Sequence, residues 1–179
     1  MASAKWAEEL ARTKLATSLP RRWAHVQGVA SQARRAAAIV DDGDLLIAAA
    51  WLHDIGYAPD LVGTGFHPVD GAVFLREQGI PERICALVAN HSCAQVEGRR
   101  RGIGIAWRDE TTPLRDALWW ADMTTTPDGS RTTVEDRVRE VVARYGAEHV
   151  VALSLLEAEP ELLSAATRTE LRLSVGAAM

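Results

Sequence analysis

Long apolar segments and cysteines are both scarce in this sequence, and each scarcity excludes a class of protein. The longest apolar run, Leu45 to Leu52, is too short to cross a bilayer. The first residues lack the apolar core of a signal peptide. The 2 cysteines, Cys85 and Cys93, form neither a metal-knuckle spacing nor a disulfide framework. We therefore expect a cytoplasmic protein with no membrane partner, in which both cysteines are small packing residues.

An excess of positive charge is also lacking. The formal net charge is −4 and the sequence pI is about 5.7. A dedicated nucleic-acid binder needs a basic face, so the composition disfavours a nucleic-acid partner. Low-complexity linkers and internal repeats are missing as well. The 179 residues are therefore predicted to form one domain over 1–179, with a core at about 20–145 and C-terminal helices at about 147–175 packed on it.

Apolar residues recur at helical spacing almost throughout, and no convincing alternating strand is present, which predicts an all-α fold. Helices are expected at about 3–17 and from Pro20 onward, the second with His25 on its apolar face. Four more are expected: His67 to Gln78, Pro81 to His91, Leu114 to about Thr125, and one that Thr132 and Glu135 cap and that ends at Tyr145. Glu97 to Glu110 is expected to be an exposed connection. One or two helices, divided near Pro160, are expected to close the chain.

The apolar run at Leu45 to Leu52 predicts a buried helix that Asp42 or Asp44 caps. Gly56 is expected to stop this helix in a left-handed conformation. His53 and Asp54 lie side by side at its end, where desolvation of either group is costly. One interpretation is an ordinary hydrogen bond between imidazole and carboxylate, without chemistry.

The rest of the sequence favours a metal site instead. Four histidines and two aspartates are expected to face the core from at least five segments: His25, His53, Asp54, His67, His91 and Asp122. Several buried ionisable groups are tolerated together when they share a cation. Imidazole suits iron, zinc, copper or nickel, and carboxylate also admits manganese and magnesium. The lack of thiolates argues against structural zinc. Six ligands suit two metals, with Asp54 as the bridge.

The order His, His-Asp, His, His, Asp resembles that of the HD-domain superfamily of metal-dependent phosphohydrolases. His53-Asp54-Ile55-Gly56 is the name-giving motif, and Asp122 resembles the family's final aspartate. The added histidines resemble those of the subgroup with two metals, which includes HD-GYP phosphodiesterases and ribonuclease Y. The resemblance implies an all-helical HD bundle. It also implies two divalent ions (Fe, Mn or Mg, with Zn or Ni as further candidates), the first bound by His25, His53, Asp54 and Asp122, and the second by His67, His91 and the shared Asp54.

The sequence departs from these relatives at two places. Many of them have lysine after His-Asp-Ile-Gly, where this chain has Tyr57, and the lysine is often interpreted as a charge that positions phosphate or water. There is no Gly-Tyr-Pro motif, which disfavours hydrolysis of cyclic dinucleotides. The low pI disfavours a ribonuclease.

Arginines are the candidate phosphate contacts, because guanidinium groups bind phosphate in a bidentate manner. We predict substrate binding by Arg99, Arg101 and Arg131, and a catalytic role for Arg131 together with His53 and Asp54. Arg131 is preferred to Arg137. The alternative for each arginine is a solvated position in a polar loop.

The leading hypothesis is a metal-dependent phosphohydrolase, a phosphomonoesterase or a phosphodiesterase, that acts on a small phosphorylated metabolite or nucleotide through a metal-activated hydroxide. The alternative from another enzyme class is an HD-type di-iron oxygenase that cleaves a C–P or C–C bond. The third hypothesis is a binding or regulatory module that has lost catalysis. A homodimer is compatible with the sequence.

Overall fold

The computed structural model describes residues 3–176, and these are predominantly helical. The helices are α1 (Ala4–Leu15), α2 (Pro20–Ala36), α3 (Gly43–Leu52), α4 (His67–Glu77), α5 (Glu82–Ala89), α6 (Ala94–Arg101), α7 (Pro113–Met123), α8 (Val134–Tyr145) and α9 (Val150–Gly176). Short 3-10 turns occupy Ala37–Ile39, Ile55–Tyr57 and Pro59–Leu61. Between residues 3 and 176 the only β-type pairing is an isolated bridge between Thr125 and Arg131. The predicted all-α fold is confirmed.

Helix α3 is the centre of the bundle. Its side chains are apolar and buried from Leu46 onward except for Ile47, which is partly buried, and it packs against α1, α2, α5 and α7. The Asp42 side chain accepts a hydrogen bond from the Leu45 amide at 3.3 Å and caps its start. Each fully buried leucine contributes about 1.5–3 kcal/mol to folding. Burial of α3 therefore fixes where its C-terminal residues, His53 and Asp54, are placed.

Gly56 has a different role from the predicted one. It lies in a 3-10 turn and is not among the glycines with positive φ in the described chain. The prediction of a left-handed stop was therefore wrong. A Cβ atom at Gly56 would lie 2.0 Å from the carbonyl oxygen of His67 and 2.5 Å from the amide nitrogen of Gly71. The glycine is needed because the backbone of α4 crosses this turn in direct contact.

Helix α7 is buried on all sides, because α9 covers the face that does not pack on α2 and α3. Trp119 and Trp120 are both in the core, 6% and 3% exposed. Neighbouring positions on a helix point about 100° apart, so the sequence predicts that Trp119 and Trp120 do not both face the core. This prediction was wrong. The Trp119 indole N–H donates to the Asn90 carbonyl at 3.0 Å, and the Trp120 indole N–H to Glu170 at 3.3 Å. Both aromatic N–H groups are thus satisfied within the interior.

Helix α9 is a single helix, not two. Pro160 lies inside it. Proline cannot donate to the carbonyl four residues earlier, which here belongs to Leu156, a residue that is 42% exposed. Water can take the place of the missing donor, so the helix continues. Arg168 of α9 binds Asp116 of α7 at 2.7 Å and holds the two helices together.

Two further expectations were wrong in detail. The predicted connection at Glu97 to Glu110 begins inside α6, where Glu97 is buried and pairs with Arg101 at 2.7 Å. The N-cap of α8 is Thr133 and not Thr132, because the Thr133 hydroxyl accepts a hydrogen bond from the Asp136 amide at 3.1 Å.

None of the helices between residues 3 and 176 combines the length and the hydropathy that crossing a bilayer requires.

Candidate metal centre

The structure brings all six predicted ligands together. They come from α2 (His25), the end of α3 (His53, Asp54), the start of α4 (His67), the turn after α5 (His91) and α7 (Asp122). Nε2 of His25 lies 3.0 Å from Asp122 Oδ1, and Nε2 of His53 lies 3.4 Å from Asp54 Oδ2. Nε2 of His67 lies 3.3 Å from Asp54 Oδ1 and 3.2 Å from Nε2 of His91. Chain segments that are distant in sequence thus meet around one small polar volume.

Backbone carbonyls fix the orientation of three of the imidazole rings. Nδ1 of His25 lies 3.0 Å from the Thr126 carbonyl, Nδ1 of His53 2.8 Å from that of Ala50, and Nδ1 of His91 2.7 Å from that of Val88. Such contacts favour the tautomer with the proton on Nδ1. When such a ring is neutral, its Nε2 atom carries a free electron pair on the side of the carboxylates, as in metal-binding histidines.

The donor atoms fit a metal ion. Ligand atoms of His25, His53 and Asp54 lie within 4.8 Å of one another, and so do those of Asp54, His67 and His91. The two groups share Asp54. Nε2 of His53 is buried and has no hydrogen-bond partner among residues 3–176. Buried polar atoms normally have partners, and a cation would be the partner of this one.

Close backbone approaches place His25 and His67. A Cβ at Gly28 of α2 would lie 2.5 Å from the carbonyl oxygen of Gly129, in the turn after α7. Because both residues are glycine, this turn packs directly on α2 and its Thr126 carbonyl reaches the His25 ring. The contact of Gly56 with the backbone of α4 places His67 in the same way.

Ser92 contacts Asp122, one of the predicted ligands. Its φ is +50°, which is uncommon for a residue other than glycine. Its hydroxyl donates to Oδ2 of Asp122. That bond leaves Oδ1 of Asp122 facing His25 and His53. The strained residue therefore orients one of the predicted ligands.

The electrostatics of the metal-free centre show how strongly these groups interact. Burial disfavours the charged form of Asp54, but the Arg22 guanidinium and the charge on His53 hold the pKa of Asp54 well below its usual range. Against the effect of burial, the hydrogen bond from His25 holds the pKa of Asp122 far below its usual value. Burial alone would lower the pKa of His53, yet Asp54 raises that pKa to about 9. Burial lowers the pKa of His67 to about 4.

We expect the chelator-treated protein to lose stability as the pH rises from about 6.5 to about 9. The pKa of His53 is raised to about 9 in the folded state, against about 6.5 in an unfolded chain. The folded state therefore keeps a proton that the unfolded state releases, so the stabilisation is complete below pH 6.5 and lost through pH 9. The shift corresponds to at most about 3 kcal/mol. Urea denaturation in EDTA at pH 6.5 and at pH 9.5 measures the difference.

A saturating divalent cation should abolish this alkaline loss, because a histidine that binds a metal is neutral. A free energy of unfolding that stays constant or rises between the two pH values in EDTA would contradict the prediction.

A cavity of about 660 Å³, counting space open to solvent, lies beside the centre. Four of the six predicted ligands line it: Asp54, His67, His91 and Asp122. Three arginines also reach it: Arg22, Arg137 and Arg144. Part of its wall is apolar and includes Met123, Val141, Val151 and Leu155. The arginines suit an anionic ligand.

Arg22 makes the most direct contact with the centre. Its Nη1 lies 2.6 Å from Oδ2 of Asp54. Its guanidinium also lies over the ring of Tyr57, 4.0 Å from the centroid, and that ring stacks on His67 with centroids 3.8 Å apart. The Tyr57 ring thus supports a cation that α2 provides.

The three arginines predicted to bind substrate are placed elsewhere. Arg99 pairs with Glu157, and Arg101 pairs with Glu97 at 2.7 Å. Arg131 is exposed and lines a separate groove together with Trp120. None of the three lines the cavity beside the ligands. The structure therefore does not bring them together with the predicted metal ligands.

The arginines that do line the cavity have weak sequence signals. Arg22 precedes His25 by three residues, so both lie on the same side of α2. That spacing is the signal that could have identified it. Arg137 follows Asp122, as Arg131 does, and only the position of α8 distinguishes them. Arg144 has no sequence signal beyond its charge.

The comparison with known protein families decides the assignment. The model of the HD domain matches residues 22–138 of this chain. The chain belongs to the HD-domain family. The matched segment contains all six predicted ligands, from His25 to Asp122. No curated protein and no solved structure matched the chain.

HD domains are in general metal-dependent hydrolases that bind divalent metals. The geometry of the histidines and aspartates in this HD domain fits that description. The number of ions, their identity and the six-ligand subgroup stay predictions.

Proposed function

We propose that this HD domain hydrolyses the phosphoester of a small phosphorylated metabolite or nucleotide. One observation supports the proposal above the others, namely that the cavity beside the ligand cluster is lined by three arginines. An anion in that cavity would lie between guanidinium groups and the metal ligands. Phosphoryl transfer needs this arrangement, because positioning and stabilisation of charge account for most of its catalysis.

Two divalent ions would complete the proposed site. His25, His53, Asp54 and Asp122 would hold the first, and His67 and His91 would hold the second with Asp54 shared. When bound, such ions supply Lewis acidity and lower the pKa of water so that it attacks at neutral pH. Asp54 lines the cavity and keeps the catalytic role predicted for it. His53 was also predicted to be catalytic, but it does not line the cavity, so we assign it only the role of a metal ligand.

The chain's own residues bind and orient the phosphoryl group. We assign to Arg22 the role that the sequence predicted for Arg131, because Arg22 lines the cavity and contacts Asp54 directly. Its guanidinium has five N–H donors, so it can bind Asp54 and a phosphoryl oxygen together. The aromatic ring of Tyr57 holds it from the other side. The apolar wall around Met123 and Val141 keeps water away from the remainder of the substrate.

We expect Arg22→Met to lower kcat/KM for the best phosphoester by about 100-fold, the equivalent of one charge-assisted bond to a phosphoryl group. Metal content should be retained, because Arg22 is a cation that repels the ions. Steady-state kinetics combined with elemental analysis measure both quantities. The control is Arg34→Met on the same helix, whose side chain is 49% exposed and pairs with Glu8. Equal kcat/KM values for Arg22→Met and Arg34→Met would show that Arg22 does not bind the substrate.

A panel of nucleotides, sugar phosphates and phosphodiesters tests the function itself. The metal-loaded protein should release phosphate from at least one monoester or hydrolyse at least one diester. If protein with full metal occupancy hydrolyses none of these compounds, the proposal is contradicted. Turnover that requires both iron and oxygen would instead support the di-iron oxygenase.

A further inference from the structure

A second cavity adjoins the one beside the ligand cluster. Its volume is about 550 Å³, counting space open to solvent. Arg22, Tyr57, Arg137 and Arg144 line both cavities, so the two are neighbours. Arg21 lines the second cavity as well. No aspartate or glutamate of residues 3–176 lines it.

Nearby carboxylates only partly neutralise these four arginines. Arg22 pairs with Asp54 at 2.6 Å. Arg137 and Arg144 share Glu140, the latter at 3.5 Å. Arg21 has no ion pair within residues 3–176. Two carboxylates therefore serve four guanidinium groups, in a protein whose net charge is −4. A cluster of like charges along one cavity attracts an anion.

Arg137 is the residue that points most clearly to a ligand. Its side chain is only 9% exposed. Its Nε atom is buried and lacks a hydrogen-bond partner in the described part of the chain. An unpaired, buried N–H of a charged group is costly, and phosphate oxygens are the acceptors that guanidinium groups bind best.

We propose that this second cavity, between Arg21, Arg137 and Arg144, binds a second phosphate group of the substrate. The inference rests on the proposed function and narrows it. The phosphoryl group that reacts lies beside the ligand cluster, and another phosphate of the same molecule lies on the far side of Arg22. The substrate class is then a compound with two phosphate groups, such as a bisphosphate or a diphosphate ester, and not a simple monophosphate.

Inorganic pyrophosphate and inorganic phosphate are the probes, titrated by calorimetry into the full-length protein in EDTA at low salt. Chelation leaves the arginines as the principal anion site. Pyrophosphate should bind at least tenfold more tightly than phosphate. Arg144→Met and Arg21→Met should each weaken pyrophosphate binding by about tenfold, less than the effect expected for Arg22, because both residues are exposed and water screens their charge.

Arg139→Met is the matched control. Arg139 belongs to the same helix as Arg144, its side chain is 73% exposed, and it pairs with Asp136. The Arg139→Met variant should bind pyrophosphate with the affinity of the unmodified protein. If Arg144→Met and Arg21→Met lower the melting temperature without weakening the binding of pyrophosphate, the arginines only support packing and the proposal is overturned. Equal affinities for phosphate and pyrophosphate also overturn it.

The two proposals fail in different ways. Arg21 separates them, because it lines only the second cavity. If no phosphoester is hydrolysed but Arg21→Met still weakens pyrophosphate binding, the proposed reaction is wrong and the anion site stands. If monophosphates are hydrolysed equally well by Arg21→Met and by the unmodified protein, and pyrophosphate binding is unchanged, the second phosphate site is wrong and the hydrolase stands.

Discussion

Replacing Asp54 by asparagine should eliminate both metal ions at once. Asp54 is the residue that both groups of donor atoms share. The neutral amide keeps the shape of the side chain but removes the charge that each cation needs. Elemental analysis should find no bound metal in purified Asp54→Asn, whereas we expect two ions per chain in the unmodified protein. Hydrolysis of the best substrate should fall by about 1000-fold or more.

Two control variants make this result specific to a bridging carboxylate. His91 belongs to only one of the two groups, so His91→Gln should lose one ion and keep the other. Asp44→Asn changes an exposed carboxylate at the start of the same helix α3 and should keep both. Retention of one ion by Asp54→Asn would show that Asp54 does not bridge. A single ion in the unmodified protein would refute the dinuclear arrangement.

Gly56→Ala should destabilise the protein by about 3 kcal/mol and weaken the proposed second metal site. The added methyl group would lie 2.0 Å from the His67 carbonyl oxygen and 2.5 Å from the Gly71 amide nitrogen. Both are backbone atoms of α4, so the whole first turn of that helix must move. His67 moves with it and loses its distance of 3.3 Å to Asp54. Urea denaturation and metal titration measure the two effects separately.

Gly104→Ala provides the comparison for this variant. A Cβ at Gly104 would contact no heavy atom within 4 Å, so the change in stability should stay within about 0.5 kcal/mol. If Gly56→Ala matched Gly104→Ala in stability and in metal content, close packing of α4 on the turn would not be what places His67.

The positions of the arginines differ most between the sequence prediction and the structure. Arg99, Arg101 and Arg131 follow ligands closely in the chain, and proximity in sequence suggested proximity in space. Helix α6 directs the first two toward Glu157 and Glu97 instead. A surface arginine has many partners within reach of its long side chain, so its contacts depend on which helices pack nearby.

The errors in secondary structure have related causes. Pro160 indicated a break, but its position on the exposed side of α9 lets the helix continue, because water can serve the free carbonyl. Only one of Trp119 and Trp120 was expected to face the core, yet α9 buries both. In each case the local pattern was consistent with two outcomes, and the packing of a distant helix selected one.

The sequence by itself determined the all-α fold, the buried helix that ends in His53 and Asp54, and the ordered series of six histidines and aspartates. These depend on periodicity and on residue type, which the chain carries locally. Tertiary structure alone decided that Arg22, Arg137 and Arg144 line the cavity and that Gly28 and Gly56 allow backbones to touch. The physical reason is that the ligands are held by burial, which sequence patterns reveal. The arginines that line the cavity are positioned by contacts between helices far apart in the chain. Local sequence patterns do not encode such contacts.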